Sequence, residues 1–119
     1  MLKKKFKLNS TEIKDIFIKK TPYKVSRGVF FDIKIYYLKE ENNIDLKISI
    51  ILSSKNFKKA VIRNKIKRRL YSVLENWKKE NSDIKNIFIV IYPKKEILNI
   101  EFLDLKKEVY NSLNNNIQK

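Results

Sequence analysis

The chain has 119 residues, and its 28 Lys or Arg against 13 Asp or Glu give a formal net charge of +15. It contains no Cys, no His and one Gly. These counts exclude disulfide bonds, thiol or histidine catalysis and a glycine-rich phosphate loop. The excess positive charge indicates a polyanionic partner, either nucleic acid or an anionic membrane surface.

The N-terminal part of the chain predicts a basic arm followed by a short helix. Residues 1–8 form the arm. Asn9 and Glu12 have the spacing of a capping box, which favours a helix start at this point. Apolar residues then recur at helical spacing, which predicts an amphipathic helix from Ser10 to Lys20. These apolar residues are Ile13, Ile16 and Phe17.

Two alternating segments follow, and together they predict an antiparallel hairpin. They span residues 29–39 and 46–53, with a polar turn between them. Each segment has one apolar face and one mixed face, which is the pattern of a sheet with a core on one side only. The mixed face carries aromatic and cationic side chains, namely Phe30, Lys34, Tyr36 and Lys47.

The second half of the chain predicts a long helix, a buried strand and a last helix. Helical periodicity runs from about Phe57 to Lys79, and residues 86–92 form a strand that is apolar on both faces and therefore central. A helix from about Asn99 to Leu113 follows, and residues 114–119 are expected to fray. The element order α-β-β-α-β-α over residues 1–119 predicts a single-domain α+β sandwich, a small sheet packed with helices.

The long helix carries charge of one sign at its start. Residues 55–69 include eight Lys or Arg and no acid. An ordinary solvated helix intersperses Glu with Lys at i, i+4, and positive charge near a helix N-terminus opposes the helix dipole. The stretch therefore predicts contact with RNA or DNA, in which Arg acts as a bidentate phosphate ligand.

A helical wheel separates the apolar and basic faces of this helix. The predicted core-facing stripe consists of Ile62, Ile66, Leu70, Val73 and Trp77. The residues predicted to lie on the opposite side are Asn64, Arg68 and Tyr71. The basic face is thus expected to point away from the core.

Residues 53–75, SSKNFKKAVIRNKIKRRLYSVLE, resemble the signature of the bacterial ribonuclease P protein subunit. The family pattern is Ser-Lys-Lys, then Gly-Asn-Ala-Val, a variable residue, and Arg-Asn-Arg followed by an apolar residue and Lys-Arg. The matching residues are Ser54, Lys55, Ala60, Val61, Arg63, Asn64, Ile66, Lys67 and Arg68. The chain departs from the family pattern at Ile13, Asn56, Lys58, Lys59, Lys65 and Tyr71.

The resemblance implies an accessory subunit of a ribonucleoprotein enzyme. In this family a large RNA carries out the cleavage that gives precursor tRNA its mature 5′ end, and the protein alone is expected to be inactive. The expected RNA-binding residues are Ser54, Lys55, Lys58, Lys59, Arg63, Asn64, Lys65, Lys67 and Arg68. The single-stranded 5′ leader is expected in a cleft beside the sheet, at Ile13, Phe17, Lys34 and Tyr36.

The resemblance also implies a left-handed crossover around the basic helix. No catalytic or metal-binding residue is expected in the protein, and Mg²⁺ in the assembled complex is expected to be held mainly by RNA. The partners implied are the catalytic RNA and precursor tRNA, with no obligate protein partner. No apolar run approaches the roughly 20 residues that span a bilayer, so we expect no membrane association and a cytoplasmic location.

Other functions remain open from composition alone. A structural rRNA-binding protein has the same size and charge, and only the order of residues in the basic box separates the two. A DNA-binding regulator would need a partner helix just before the basic one, where a strand is predicted. A protein-only metal nuclease would need a carboxylate cluster, and Glu101, Asp104 and Glu108 share one side of the last predicted helix.

Overall fold

The computed structural model describes residues 6–39 and 43–117. This part of the chain forms one four-stranded mixed sheet with strand order β1-β2-β4-β3 and three α-helices. The elements are α1 (Ser10–Ile18), β1 (Tyr23–Arg27), β2 (Phe31–Tyr37), β3 (Lys47–Ile50), α2 (Ala60–Glu80), β4 (Ile87–Pro93), a 3₁₀ helix (Lys95–Asn99) and α3 (Phe102–Asn116). The predicted α+β class, a small sheet packed with helices, is confirmed.

The predicted pairing of the two alternating segments was wrong. They form β2 and β3, but β4 lies between them, antiparallel to β2 and parallel to β3. Every residue of β4 except Tyr92 is buried, and burial on both faces is available only to a central strand. The prediction that residues 86–92 form a central strand is therefore confirmed. Because β4 needs a neighbouring strand on each side, β2 and β3 lie on either side of it and do not pair with each other.

The polar stretch after Pro22 forms a strand that the sequence did not predict. This strand, β1, lies antiparallel along the outer edge of β2, from Tyr23 opposite Tyr36 to Arg27 opposite Asp32. A tight turn joins the two strands at Gly28, where an added Cβ would lie 2.9 Å from the backbone oxygen of Phe31. β1 lacked an apolar signal because most of its side chains are exposed at the sheet edge.

The main core lies between α2, α3 and one face of the sheet. The predicted stripe of α2 is confirmed, because four of its residues are buried and Ile62 packs against the core. The sheet residues in this core are Phe31, Ile33, Ile35, Ile48, Ile50, Ile87, Ile89 and Ile91. Apolar burial of this extent is the dominant force that holds both helices on the sheet.

The other face of the sheet carries a second, smaller core under α1. It consists of Leu8, Ile16, Tyr36, Phe88 and Val90. The prediction of a core on one side only was therefore wrong, because α1 folds back and covers part of the mixed face. At the start of α1, the Asn9 side chain accepts a hydrogen bond from the Glu12 backbone, and the Glu12 side chain accepts one from the Asn9 backbone. This capping box confirms the predicted helix start.

Both ends of the described chain pack against the fold. In the segment assigned to a basic arm, the backbone N–H of Leu8 donates to the Ile48 oxygen at 2.9 Å, alongside the edge of β3; residues 1–5 lie outside the described residues. In the segment expected to fray, Asn114 accepts a hydrogen bond from Trp77 Nε1 at 3.0 Å and Ile117 is buried. These long-range contacts extend α3 beyond its predicted end at Leu113.

The connection from β3 through α2 to β4 joins two neighbouring parallel strands. Its left-handedness stays a prediction. The helix begins at Ala60 instead of Phe57, so residues 51–59 form a loop that leads into its first turn. This loop and the first three turns of α2 contain all nine residues predicted to bind RNA.

Candidate nucleic-acid interface

The loop before α2 is anchored by one aromatic side chain. Phe57 is only 1% exposed and belongs to the main core. Its backbone N–H donates to the Ser53 oxygen at 2.9 Å, and the Lys55 N–H donates to Ser53 Oγ at 3.2 Å. With the ring fixed inside, Ser54 and Lys55 on one side of it, and Lys58 on the other, are held at the surface.

Arg63 connects this loop to the first turn of α2. Its Nη1 donates to the backbone oxygens of Phe57 at 2.8 Å and Lys58 at 2.9 Å. A planar guanidinium suits such a double contact because its donors have a fixed geometry. Arg63 therefore positions the loop, a role that the sequence did not indicate; its contact with RNA stays a prediction.

The other predicted RNA-binding residues form one exposed surface, which we call the basic surface. It consists of Ser54, Lys55, Lys58, Lys59, Asn64, Lys65, Lys67 and Arg68, all of which are exposed. Among the residues that the structure describes, no Lys or Arg from 55 to 69 forms an ion pair. The charge of this surface is therefore uncompensated within the described fold.

The helix terminus adds to the attraction for anions. α2 has no acidic residue in its first turn, and its N-cap residue, Lys59, makes no side-chain capping bond. The free N–H groups of a first turn carry partial positive charge and bind phosphates. Together with the surrounding ammonium and guanidinium groups, they favour a phosphate backbone at this end of α2.

The helical wheel placed Tyr71 on the side of α2 that points away from the core, and this prediction was wrong. Tyr71 is buried in the main core, and desolvation raises the pKa of its phenol, partly offset by a hydrogen bond with the Ile50 backbone. Its ring also lies 4.7 Å from the Lys7 ammonium. The second half of α2 is buried over a wider arc than the first, so Tyr71 is a core residue and offers no stacking face to RNA.

A groove lies on the opposite face of the sheet, beside α1; we call it the aromatic groove. It has a volume of about 380 Å³ and is lined by Ile16, Phe17, Lys20, Thr21, Tyr23, Lys34 and Tyr36. The rings of Phe17 and Tyr36 meet edge to face, with centroids 6.3 Å apart. Three of the four predicted leader-binding residues thus come together, whereas Ile13 is partly buried and packs against the second core.

Two tyrosines of this face were not predicted as site residues. The Lys34 ammonium lies 5.3 Å from the ring centroids of both Tyr23 and Tyr92, within the range of cation–π attraction. Tyr23 is 54% exposed, and its ring centroid is 5.3 Å from that of Tyr36. Tyr23 was missed because it belongs to β1, and its register opposite Tyr36 is visible only in the sheet.

The remaining residues of the mixed face do not join the groove. Lys47 donates to Glu12 Oε2 at 2.6 Å, so its charge is paired. Phe30 packs against the main core. The predicted mixed face therefore has two parts. Near α1, Lys47 forms an ion pair with Glu12, and the aromatic groove lies at the edge of the face.

Tyr36 should make stability depend on alkaline pH. Burial, with Tyr92 and Tyr23 nearby, raises the pKa of its phenol from 10.0 to about 12. The unfolded chain ionises first, so the stability that Tyr36 contributes is complete below pH 10 and is lost as pH rises through about 12. In urea unfolding across this range, Tyr36→Phe should lose less unfolding free energy than the wild-type protein. Equal losses in the two proteins would contradict the raised pKa.

A family model described as Ribonuclease P matches residues 2–116 of the sequence. The chain belongs to the bacterial ribonuclease P protein family. Members of this family are subunits of a ribonuclease complex that acts in tRNA 5′ processing. A comparison with curated protein sequences finds no match.

Solved structures of ribonuclease P proteins share this fold. The protein from Staphylococcus aureus is 23% identical, with a TM-score of 0.69 over 92% of this chain and 93% of that one. The protein from Thermotoga maritima is 21% identical, with a TM-score of 0.69 over 95% of this chain and 98% of that one. At these identities the likeness establishes the fold.

Within residues 6–39 and 43–117, no group of three or more His, Cys, Asp or Glu side chains is arranged to hold a metal ion. Asp32 is instead paired with Lys94 at 3.3 Å. The helices in these ranges include none that could span a bilayer.

Proposed function

We propose that the chain is the protein subunit of a ribonuclease P holoenzyme and binds the catalytic RNA and the 5′ leader of precursor tRNA. The observation that carries this proposal is the uncompensated basic surface at the start of α2. In this role the protein assists endonucleolytic removal of the leader, and the chemistry takes place on the RNA subunit.

The basic surface suits a folded RNA with closely spaced phosphates. Lys67 and Arg68 project from neighbouring positions of a rigid helix, while Lys55 and Lys58 project from the anchored loop. Phosphate contacts of this kind supply affinity that depends on salt and little on sequence. Asn64 adds a donor and an acceptor that can bond a sugar or a base edge.

The aromatic groove suits a single strand of variable sequence. The rings of Phe17 and Tyr23 are 49% and 54% exposed, and the Lys34 ammonium lies near the rings of Tyr23 and Tyr92, where it can meet a phosphate. Stacking contributes roughly 1–3 kcal/mol per base and tolerates any base. The groove and the basic surface share no residue, so the two RNA contacts are separate.

We propose that Mg²⁺ in the assembled complex is held mainly by the RNA. In support of this, no cluster of carboxylates among the described residues fits a metal ion. The cytoplasmic location stays a prediction.

Reconstitution tests the proposed function. The pure protein should not cleave precursor tRNA, and cleavage at moderate Mg²⁺ should appear when the matching catalytic RNA is added. The protein should raise the affinity of the complex for precursor tRNA that carries a leader, relative to mature tRNA. Cleavage by the RNA-free protein would overturn the proposal.

Groove variants locate the leader contact in the same assay. Phe17→Ala together with Tyr23→Ala should weaken binding of leader-bearing precursor by roughly 1–3 kcal/mol per lost stack and leave binding of mature tRNA unchanged. Val29→Ala, at an exposed position outside the groove, is the matched control. Equal losses for both substrates would place the leader elsewhere.

A further inference from the structure

A second groove lies between α2 and the segment that contains the 3₁₀ helix and the start of α3. We call it the aliphatic groove. Its volume is about 210 Å³, and it is lined by Ile62, Lys65, Ile66, Arg69, Ile97, Leu98 and Leu105. Five of these seven residues are aliphatic. The groove shares no residue with the aromatic groove and shares only Lys65 with the basic surface.

The apolar character of this groove continues onto the open surface. Leu98 is 47% exposed. Phe102 lies three residues before Leu105 and therefore on the same side of α3, and it is 39% exposed. Exposed apolar side chains that border a groove and have polar neighbours are typical of protein interaction sites.

Two cations border the groove on the side of α2. Lys65 and Arg69 are one helical turn apart, and neither forms an ion pair among the residues that the structure describes. No carboxylate is among the lining residues. A ligand that carries apolar side chains and carboxylates would match both the aliphatic lining and the two cations.

An RNA base is a poor fit for this lining. A base needs an aromatic partner for stacking or polar groups for its edges, whereas the floor consists of Ile and Leu side chains. A second copy of the chain is opposed by the repulsion between two molecules of net charge +15.

We propose that the aliphatic groove binds a short acidic segment of another protein. The segment inserts aliphatic side chains between α2 and α3, and its carboxylates pair with Lys65 and Arg69. An amphipathic helix laid into a groove between two helices is a common form of such recognition. This binding goes beyond the proposed contacts with RNA and leaves the aromatic groove free.

A designed peptide provides the probe. A fluorescein-labelled peptide with Leu at i, i+3, i+4 and i+7 and Glu at the other positions should bind the full-length protein in an anisotropy titration. Its affinity should fall as salt is added, because the ionic contacts are partly exposed. A matched peptide with Ser in place of Leu should bind at least about tenfold more weakly. Equal binding of both peptides would mean that charge alone attracts them and would overturn the proposal.

Protein variants distinguish the groove from the basic surface. Leu98→Ser should weaken binding of the Leu/Glu peptide by at least about tenfold. Because this change adds no charge beside Lys65, it should leave affinity for the catalytic RNA unchanged. Leu103→Ser is the matched control, since Leu103 is 71% exposed and does not line the groove; it should change neither affinity. Undiminished peptide binding by Leu98→Ser would overturn the proposal. Failure of the wild-type protein to bind the catalytic RNA would instead overturn the proposed function alone.

Discussion

Replacing Lys67 and Arg68 together by Ala should weaken binding of the catalytic RNA and flatten its dependence on salt. Both side chains are exposed and form no ion pair among the described residues. Each phosphate contact that is lost should reduce the slope of log K against log salt by about 0.7–0.9. Affinity titrations at several salt concentrations measure both effects.

Two further variants show whether the effect comes from the basic surface itself. The double variant Lys95→Ala with Lys107→Ala removes the same net charge from exposed positions outside the basic surface and should leave the slope nearly unchanged. Arg63→Ala should weaken binding mainly by releasing the loop, because Arg63 Nη1 holds the Phe57 and Lys58 oxygens. If the Lys95/Lys107 control flattened the slope as much as the Lys67/Arg68 variant, the attraction would be a property of the whole charge and not of this surface.

Phe57→Ala should cause a large loss of stability. The side chain is 1% exposed in the main core, and truncation of a buried Phe costs about 3–5 kcal/mol of unfolding free energy. Urea unfolding measures this loss. The same change removes the anchor of the loop, so RNA affinity should also fall under conditions where the variant stays folded.

Val61→Ala is the matched control for Phe57→Ala. Val61 lies four residues further along the chain and is 79% exposed, so its truncation should change stability by no more than about 0.5 kcal/mol. Unfolding free energies that agree between Phe57→Ala and the wild-type protein would show that the ring is not part of the core. Burial of Phe57 would then not be what holds the loop in position.

Local patterns predicted the features that depend on near neighbours in sequence. The capping box, the apolar stripe of α2 and the buried character of β4 all follow from side-chain period and residue type, and the structure confirms each. The residues of the basic surface are close in sequence, so a loop and one helix suffice to bring them together. The contact between Phe17 and Tyr36 joins α1 to β2 across the sheet and has no such local signal.

Features that depend on distant partners were not predictable in this way. Alternation in residues 29–39 and 46–53 reports which faces are buried, but it does not say which strand lies alongside. Tyr71 is buried because the N-terminal segment and the sheet enclose one side of α2, and that enclosure has no local signal. The contact between Arg63 and the loop depends on the path of the backbone, which composition does not encode.

The position of β4 has a consequence for the way the protein is made. β4 separates β2 from β3 in the sheet but follows both in the chain, so the ribosome synthesises it last of the four strands. Until residue 93 has left the ribosome, β2 and β3 lack their shared neighbour, and the basic helix has no completed sheet to pack on. Folding then rests on contacts between distant parts of the chain, which form slowly and leave strand edges exposed meanwhile. The nascent protein is thus expected to stay unfolded until most of its sequence has emerged.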